Sequence, residues 1–461
     1  MEEKVNCSEP AQKNSGRNTV GVAIMGYGVV GKGVAHAIRN NGALIERKTG
    51  VRVRLLRVLD LLDFPDSPEA GVVTHNVGDI MDDGDIDVVV ETMGGVGAAF
   101  EFTKTALSRG KHVITSNKEL VAEHGPELLA LADKCGAFYR FDASVGGGIP
   151  VINPIEECLA PDDVDEILGI FNGTTNYMLT YMKAHGAGFI DTLARAQEHG
   201  YAEGDPSSDI EGRDPCRKLA IISSIAFGKF IDWKSIRTES LSQVTLDDIN
   251  RAADIGRVLK YIARISRRAD GRFEAYVLPA MVDRRSPLAR VEGVNNAVMI
   301  HGDLTGYIML YGPGAGMLPT GNSIASDIVK VACGAREKKG LQYPPGDGGG
   351  ARSGGCAQFA GLKNPKWDRG DKLDLACFGE YLHGFYVRAE APDHAAYRDM
   401  LFGEFPEARI LPRMGGDGPE TLFFTVPEHT EKDFNQKLEN INNGVAGAAT
   451  KFVARLIPYR E

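Results

Sequence analysis

The chain has 461 residues, 43% of them hydrophobic and 25% charged, with a formal net charge of −10. That length predicts two or three domains with sizeable cores, and the acidic balance excludes nucleic acid and an anionic membrane as main partners. No apolar run reaches the roughly 18 residues of a membrane helix, and the seven cysteines form no CxxC pair, which predicts neither a disulfide framework nor a zinc site and fits a reducing, cytoplasmic setting.

Residues 1–18 are polar, lack the apolar stretch of a secretory signal and read as a flexible tail. From Thr19 the pattern is strand, glycine-rich turn, helix. Val20, Val22 and Ile24 form a β-rich run, Gly26-Tyr27-Gly28-Val29-Val30-Gly31 follows, and Val30, Val34 and Ile38 mark a helix face closed by Gly42. A second strand runs from about Val51 to Asp60. Short apolar runs at Val72–Val77, Ile86–Glu91, Lys111–Thr115 and Phe138–Ala143 alternate with helical patterns at Ala98–Ser108 and Glu119–Cys135. Such alternation predicts a Rossmann-type, doubly wound parallel sheet.

In that setting a GxGxxG motif is a dinucleotide-binding signal. Gly26 allows the tight turn, Gly28 lets a pyrophosphate approach the backbone, and Gly31 lets helix and strand pack closely. Free amides and the positive dipole end of the helix then face the phosphates. Asp60 ends the second strand 29 residues after Gly31, longer than the usual spacing of roughly 20. An acid there binds ribose hydroxyls and repels a 2′-phosphate, favouring NAD over NADP. The plainer reading is a solvated strand-end acid, and Arg54 and Arg57 stand nearby. Ser116-Asn117-Lys118 directly follows a strand, which sets Lys118 at the crevice where open α/β sheets bind ligands.

After Gly146-Gly147-Gly148 the texture changes. Helical segments at Ile149–Leu159, Thr174–Lys183, Phe189–His199 and Pro215–Phe227 and strands at Ala275–Val282, Ala297–Ile300 and Tyr307–Tyr311 read as a second α/β domain. Asn172-Gly173-Thr174-Thr175-Asn176 lies between strand and helix, where its amides and hydroxyls suit a small carboxylate. The stretch Gly200–Lys218 packs acids and bases around turn residues and runs into an apolar helix. Asp214 stands where an N-cap belongs, Pro215 at the first helical position, and Asp214 and Lys218 are four apart on one face. Glu203, Asp209 and Asp214 either coordinate a divalent cation or bind a substrate ammonium and hydroxyl. Lys218, just inside an apolar helix, is placed for proton transfer.

Gly312–Thr320 opens a helix at about Asn322–Cys333, and residues 340–372, rich in Gly, Pro and charge, read as a long loop or linker. The last 80 or so residues show strand, helix, strand, strand, helix, strand, the ferredoxin-like order. The expected division is tail 1–18, dinucleotide domain 19–148 with about 305–335, substrate domain 149–304, linker 336–380, and C-terminal α+β domain 381–461.

At these residues the chain resembles homoserine dehydrogenase. The glycine turn 26–31, Ser116-Asn117-Lys118, Ala143–Pro150, Asn172–Tyr177, Gly200–Lys218 and Leu318-Pro319-Thr320 look like that family's segments, in its order, over about residues 19–335. The resemblance implies interconversion of L-aspartate 4-semialdehyde and L-homoserine with NAD or NADP, in the biosynthesis of threonine, methionine and isoleucine. It implies Lys218 as proton donor, Lys118 close to the reacting centre, Glu203, Asp209 and Asp214 holding the amino acid, Gly173 and Thr174 at its polar end, and Gly314 bordering the cofactor. It further implies a structural sodium at Asp142, Val145, Gly147 and Ile149, largely through main-chain carbonyls, and a homodimer or larger assembly through the domain 149–304, which is then the dimerisation domain as well. Leu59 stands where NADP-preferring members often carry Arg, which strengthens the NAD reading. The C-terminal part is ACT-like in element order, but Ala391–Ala395 lacks the glycine with which such domains approach an amino-acid effector, so threonine feedback is not expected. With no kinase-like region upstream, a fused aspartate kinase is not expected either. The rival readings are another Rossmann-fold amino-acid dehydrogenase and a non-catalytic nucleotide and amino-acid sensor.

Overall fold

Val22 and Ile24, Val88 and Val90, and Ile114 are completely buried, as befits strands covered on both faces. They belong to a six-stranded sheet, seen in a computed structural model that describes residues 19–338, 363–412, 418 and 420–459. The predicted tail 1–18 and most of the segment 340–372 lie outside the described residues. The chain divides into two compact units, Met1–Pro161 with Ala220–Asp232 and Gly312–Lys372, and Asp162–Leu219 with Trp233–Tyr311 and Leu373–Glu461.

In the first unit the strands Thr19–Met25, Arg52–Leu59, Val73–Thr74, Ile86–Glu91, His112–Thr115 and Tyr139–Arg140 are all parallel. In spatial order they run third, second, first, fourth, fifth, sixth, the doubly wound arrangement expected from their alternation with helices. Its crevice lies where the order reverses, between the first and fourth strands. The first helix, Val29–Thr49, does not stop at Gly42; Ile45 still packs on the core, and the helix closes at Gly50, whose φ is 72°. The helix Met317–Lys338 begins earlier than its apolar spacing suggests and lies directly on the first helix. A Cβ on Gly33 would stand 1.9 Å from the Met317 carbonyl oxygen, and one on Gly321 2.5 Å from the Gly33 carbonyl carbon. Ile324, Ile328 and Val331 join Val34, Ala35 and Ile38 in one core. Part of the segment read as linker also lies on this unit. Asn364 accepts from the Tyr139 amide at 2.8 Å, and Trp367 packs on Phe141 and against Gly125.

The second unit holds a ten-stranded mixed sheet. Two of its elements are not visible in the apolar spacing. The strand Arg257–Arg267 is interrupted by cations, yet the fold buries Lys260 and pairs Arg264 with Glu166 and Glu274. The short polar helix Leu246–Asp254 is set by a Thr245–Asp248 capping box. The C-terminal strands Leu382–Glu390, Arg409–Ile410, Thr421–Thr430 and Ala449–Ile457 take the ferredoxin-like order fourth, first, third, second. Ala449–Ile457 also pairs in parallel with Phe273–Asp283 over Ala280–Val282, which makes the sheet continuous.

Among the described residues no helix is long and apolar enough to cross a membrane. Cys135 and Cys333 are each disulfide-bonded, which sequence spacing did not suggest because spacing along a chain does not report proximity in space; among the described residues Cys158, Cys216 and Cys377 stand outside any disulfide, and the Cys216 thiol donates to the Trp233 carbonyl at 3.1 Å.

Candidate active site

In the first unit the glycine turn joins the first strand to the first helix. Gly26 has φ 96°, and a Cβ there would stand 2.7 Å from the Thr92 carbonyl oxygen, so no other residue fits without strain. A Cβ on Gly28 would have no neighbour within 4 Å, and no side chain caps the helix that Gly28 opens. Open space over uncapped amides is what an incoming diphosphate needs. Val29 is exposed beside it and Val30 packs inward. The Tyr27 ring is buried, its hydroxyl bonded to Ser67 at 2.9 Å and donating to Glu69, and burial raises its pKa. Asp60 braces the turn: its carboxylate accepts from the amides of Tyr27 at 2.6 Å and Leu62 at 3.0 Å.

Across the crevice, Glu91 ends the fourth strand fully buried. It accepts from the Thr115 hydroxyl at 2.6 Å and the Met93 amide at 2.8 Å, and burial raises its pKa. Thr115 in turn accepts from the Asn117 amide at 2.8 Å, and Asn117 caps the helix Lys118–Lys134 and donates to the Gly95 carbonyl at 2.6 Å. This chain of bonds sets Ser116 and Lys118 at the carboxyl end of the sheet. The sequence pattern did not single out Glu91; its signal was an acid closing the apolar run Val88–Val90.

The triple-glycine turn of this unit curls tightly. Gly147 has φ 59°, and a Cβ there would stand 2.2 Å from the Gly314 carbonyl oxygen. The Gly148 amide donates to Pro313 at 3.1 Å and that of Ile149 to Gly146 at 3.0 Å, so the carbonyls of Val145, Gly147 and Ile149 are the acceptors of neither bond. Asp142 accepts from the Ile152 amide at 2.7 Å and from Asn153 at 3.0 Å; burial raises its pKa and pushes that of Asp327, which accepts from the Asp142 amide, up to about 7.

The second unit carries the other cluster. The helix Arg213–Phe227, whose residues up to Leu219 belong to this unit, has Asp214 within its first turn and not at the N-cap expected from the sequence. The Cys216 amide bonds to the Gly212 carbonyl at 3.0 Å, which gives Gly212 the cap position. Pro215 still falls among the first residues, whose amides have no helical partner. Asp214 and Lys218 meet as their spacing predicts: Nζ of Lys218 donates to Oδ2 of Asp214 at 2.9 Å and to the Phe171 carbonyl at 2.8 Å. Asn172 joins the acids, donating to Asp209 Oδ1 at 2.7 Å and to Asp214 Oδ2 at 2.9 Å, while its own oxygen caps the helix Gly173–His185. Burial raises the Asp209 pKa, and the nearby Asp214 charge adds to it. The Thr174 hydroxyl donates to the Tyr201 carbonyl at 2.6 Å, and Gly173 lies so close to Val294 that a Cβ would stand 2.7 Å from its carbonyl oxygen. Glu203 is exposed, its main-chain carbonyl bonded by Gln197, and no hydrogen bond joins its carboxylate to the cluster among the described residues. Nor, among those residues, do three or more His, Cys, Asp or Glu side chains converge as a metal site.

Comparison with known proteins bears on both clusters. Residues 26–142 match the family model described as homoserine dehydrogenase, NAD binding domain, and residues 150–329 match the one described as homoserine dehydrogenase. The homoserine dehydrogenase of Bacillus subtilis (strain 168) is 34% identical over 433 residues, 92% of this chain and 94% of its own. A crystal structure of a homoserine dehydrogenase from Thiobacillus denitrificans superposes with a TM-score of 0.82 at 31% identity, over 95% of this chain and 98% of that one. A hyperthermophilic archaeal homoserine dehydrogenase mutant in complex with NADPH gives a TM-score of 0.57 at 26% identity, over 68% and 97%.

Proposed function

The chain belongs to the homoserine dehydrogenase family, an oxidoreductase interconverting L-aspartate 4-semialdehyde and L-homoserine with a nicotinamide cofactor, and from that premise we propose which of its residues carry the reaction. Lys218 is the proton donor to the carbonyl oxygen. Reduction of an aldehyde leaves an alkoxide, and a cationic acid held beside that oxygen stabilises the charge as it develops and then neutralises it. The observation that carries this reading is the fixed ammonium of Lys218, two of whose three donors are met at Phe171 and Asp214. Asp209 and Asp214, with Glu203 from the preceding loop, hold the amino acid, and Gly173 and Thr174 lie at its polar end. Lys118 acts close to the reacting centre.

The bound nicotinamide supplies or accepts the hydride. Gly26, Tyr27, Gly28, Val29, Val30 and Gly31 hold the dinucleotide, with Asp60, Ser116, Lys118 and Gly314. The uncapped helix and the open approach at Gly28 support this. Asp60 and Leu59 favour NAD over NADP, although the archaeal relative was solved with NADPH. Main-chain carbonyls of Val145, Gly147 and Ile149 with Asp142 would suit a hard cation such as sodium, and the positive φ of Gly147 supports a tight curl there. The assembly is a homodimer or larger, and the compartment the cytoplasm.

One assay tests the core of this reading: homoserine-dependent reduction of NAD and of NADP by wild type and Lys218→Ala. We expect turnover with a higher kcat/KM for NAD, and a fall in kcat of at least about 100-fold in the variant. No turnover with either cofactor would leave the sensor reading or a different amino-acid substrate. Near-normal kcat in Lys218→Ala would remove its role, and a higher kcat/KM with NADP would refute the cofactor preference.

A further inference from the structure

The strand Arg257–Arg267 carries a lysine that the reaction does not use. Lys260 is only 3% exposed, and its Nζ donates to the Val291 carbonyl and, at 3.3 Å, to Oδ1 of Asn176. An ammonium at that depth is costly. Burial pushes its pKa down to about 8, with Glu292 opposing the shift and Lys183 adding to it.

A cavity of about 560 Å³ opens beside this lysine, walled by the helices Gly173–His185 and Leu246–Asp254, the strand Arg257–Arg267 and the loop after Phe273–Asp283. Five cations line it, Lys183, Arg257, Lys260, Arg284 and Arg290, against the single carboxylate of Glu292. In a chain of net charge −10 this is a local reversal of sign. Two of the guanidiniums are held in place: Arg257 donates to the Met281 and Ile457 carbonyls at 3.0 and 2.7 Å, and Arg284 to the Ala253 carbonyl at 3.1 Å. Lys183 and Arg290 stand exposed at the rim. Leu179, Ile249 and Val258 supply apolar wall between the charges. The volume falls within the roughly 300–1,000 Å³ of small-molecule sites.

We propose that this cavity binds a small organic anion carrying two or three carboxylates on a short aliphatic body. Cations on several walls match separated carboxylates, and guanidiniums suit planar carboxylates in particular. The apolar wall favours a hydrocarbon body over a fully hydrated inorganic ion. The proposal stands apart from the roles given to Lys218 and its acids, so it survives or fails independently of them.

The test is calorimetric titration of the full-length protein with tricarballylate, glutarate and inorganic phosphate, each at constant ionic strength set with chloride. We expect one tricarballylate per chain, bound at least about tenfold more tightly than phosphate, a difference of about 1.4 kcal/mol. Arg290→Ala and Lys183→Ala, at exposed rim positions, should keep the wild-type Tm and homoserine turnover while each weakens binding at least about threefold. Binding that persists at saturating NAD and homoserine supports a separate site. Absence of binding heat, phosphate as tight as the carboxylates, or affinity unchanged in both rim variants would each overturn the proposal.

Discussion

Asn172 does two jobs with one amide. Its oxygen caps a helix and its nitrogen donates to both Asp209 and Asp214. Without that donor the two acids would face each other with less to offset their repulsion. Asp209 already has a raised pKa, from burial first and the Asp214 charge second. A carboxylate must be ionised to hold an ammonium, so kcat/KM for homoserine should fall as pH drops through a pKa above the ordinary aspartate range. Asn172→Ala removes a bond that lowers that pKa. We expect the acidic limb of the kcat/KM profile to move to higher pH, with KM for homoserine raised and KM for NAD unchanged; an unmoved limb would count against it. The Asp214–Lys218 pair was legible because four residues on a helix define proximity. The Asn172 bridge was not, because its partners lie 37 and 42 residues away and only the tertiary fold brings them together.

Among the elements, the first helix offers a paired experiment. Gly28 faces open space, whereas a Cβ on Gly33 would stand 1.9 Å from the Met317 backbone oxygen. Gly28→Ala should keep the wild-type Tm and raise KM for the cofactor. Gly33→Ala should lower Tm, because backbone cannot retreat as a side chain can; thermal unfolding and cofactor kinetics on both variants separate the two outcomes. At the C-terminal end of the sheet, Arg455 is nearly buried between Glu431, at 2.8 Å from Nε, and Glu239, at 2.8 Å from Nη2. Arg455→Met would leave the buried Glu431 uncompensated, while the part-exposed Glu239 keeps Arg237 at 3.3 Å, at a cost of about 3 kcal/mol. Calorimetric unfolding should show a clearly lowered Tm, and an unchanged Tm would mean the carboxylates are accommodated by protonation. Apolar periodicity exposed most of the parallel strands and the four C-terminal strands. It failed for Arg257–Arg267, where buried Lys260 and Arg264 break the pattern, Arg264 pairing with acids of neighbouring strands and Lys260 with a carbonyl and an amide oxygen, and for Leu246–Asp254, a short helix fixed by its cap.

For the molecule as a whole, a net charge of −10 opposes an anionic cofactor at long range. Raising KCl from roughly 20 to 200 mM shortens the reach of that field. KM for NADP, the more negative cofactor, should therefore fall relative to KM for NAD; a relative rise would show that local cations outweigh the overall charge. The spatial partner of the first helix has a different consequence. Helix Val29–Thr49 rests glycine against glycine on Met317–Lys338, so the unit that begins the chain is completed by residues made almost three hundred positions later. During synthesis the glycine turn emerges early, but its helix has one flank of its core bare until the ribosome has passed residue 338. The order of manufacture thus differs from the order of assembly: much of the second unit is made and free to fold while the first still waits, with apolar surface a chaperone would recognise.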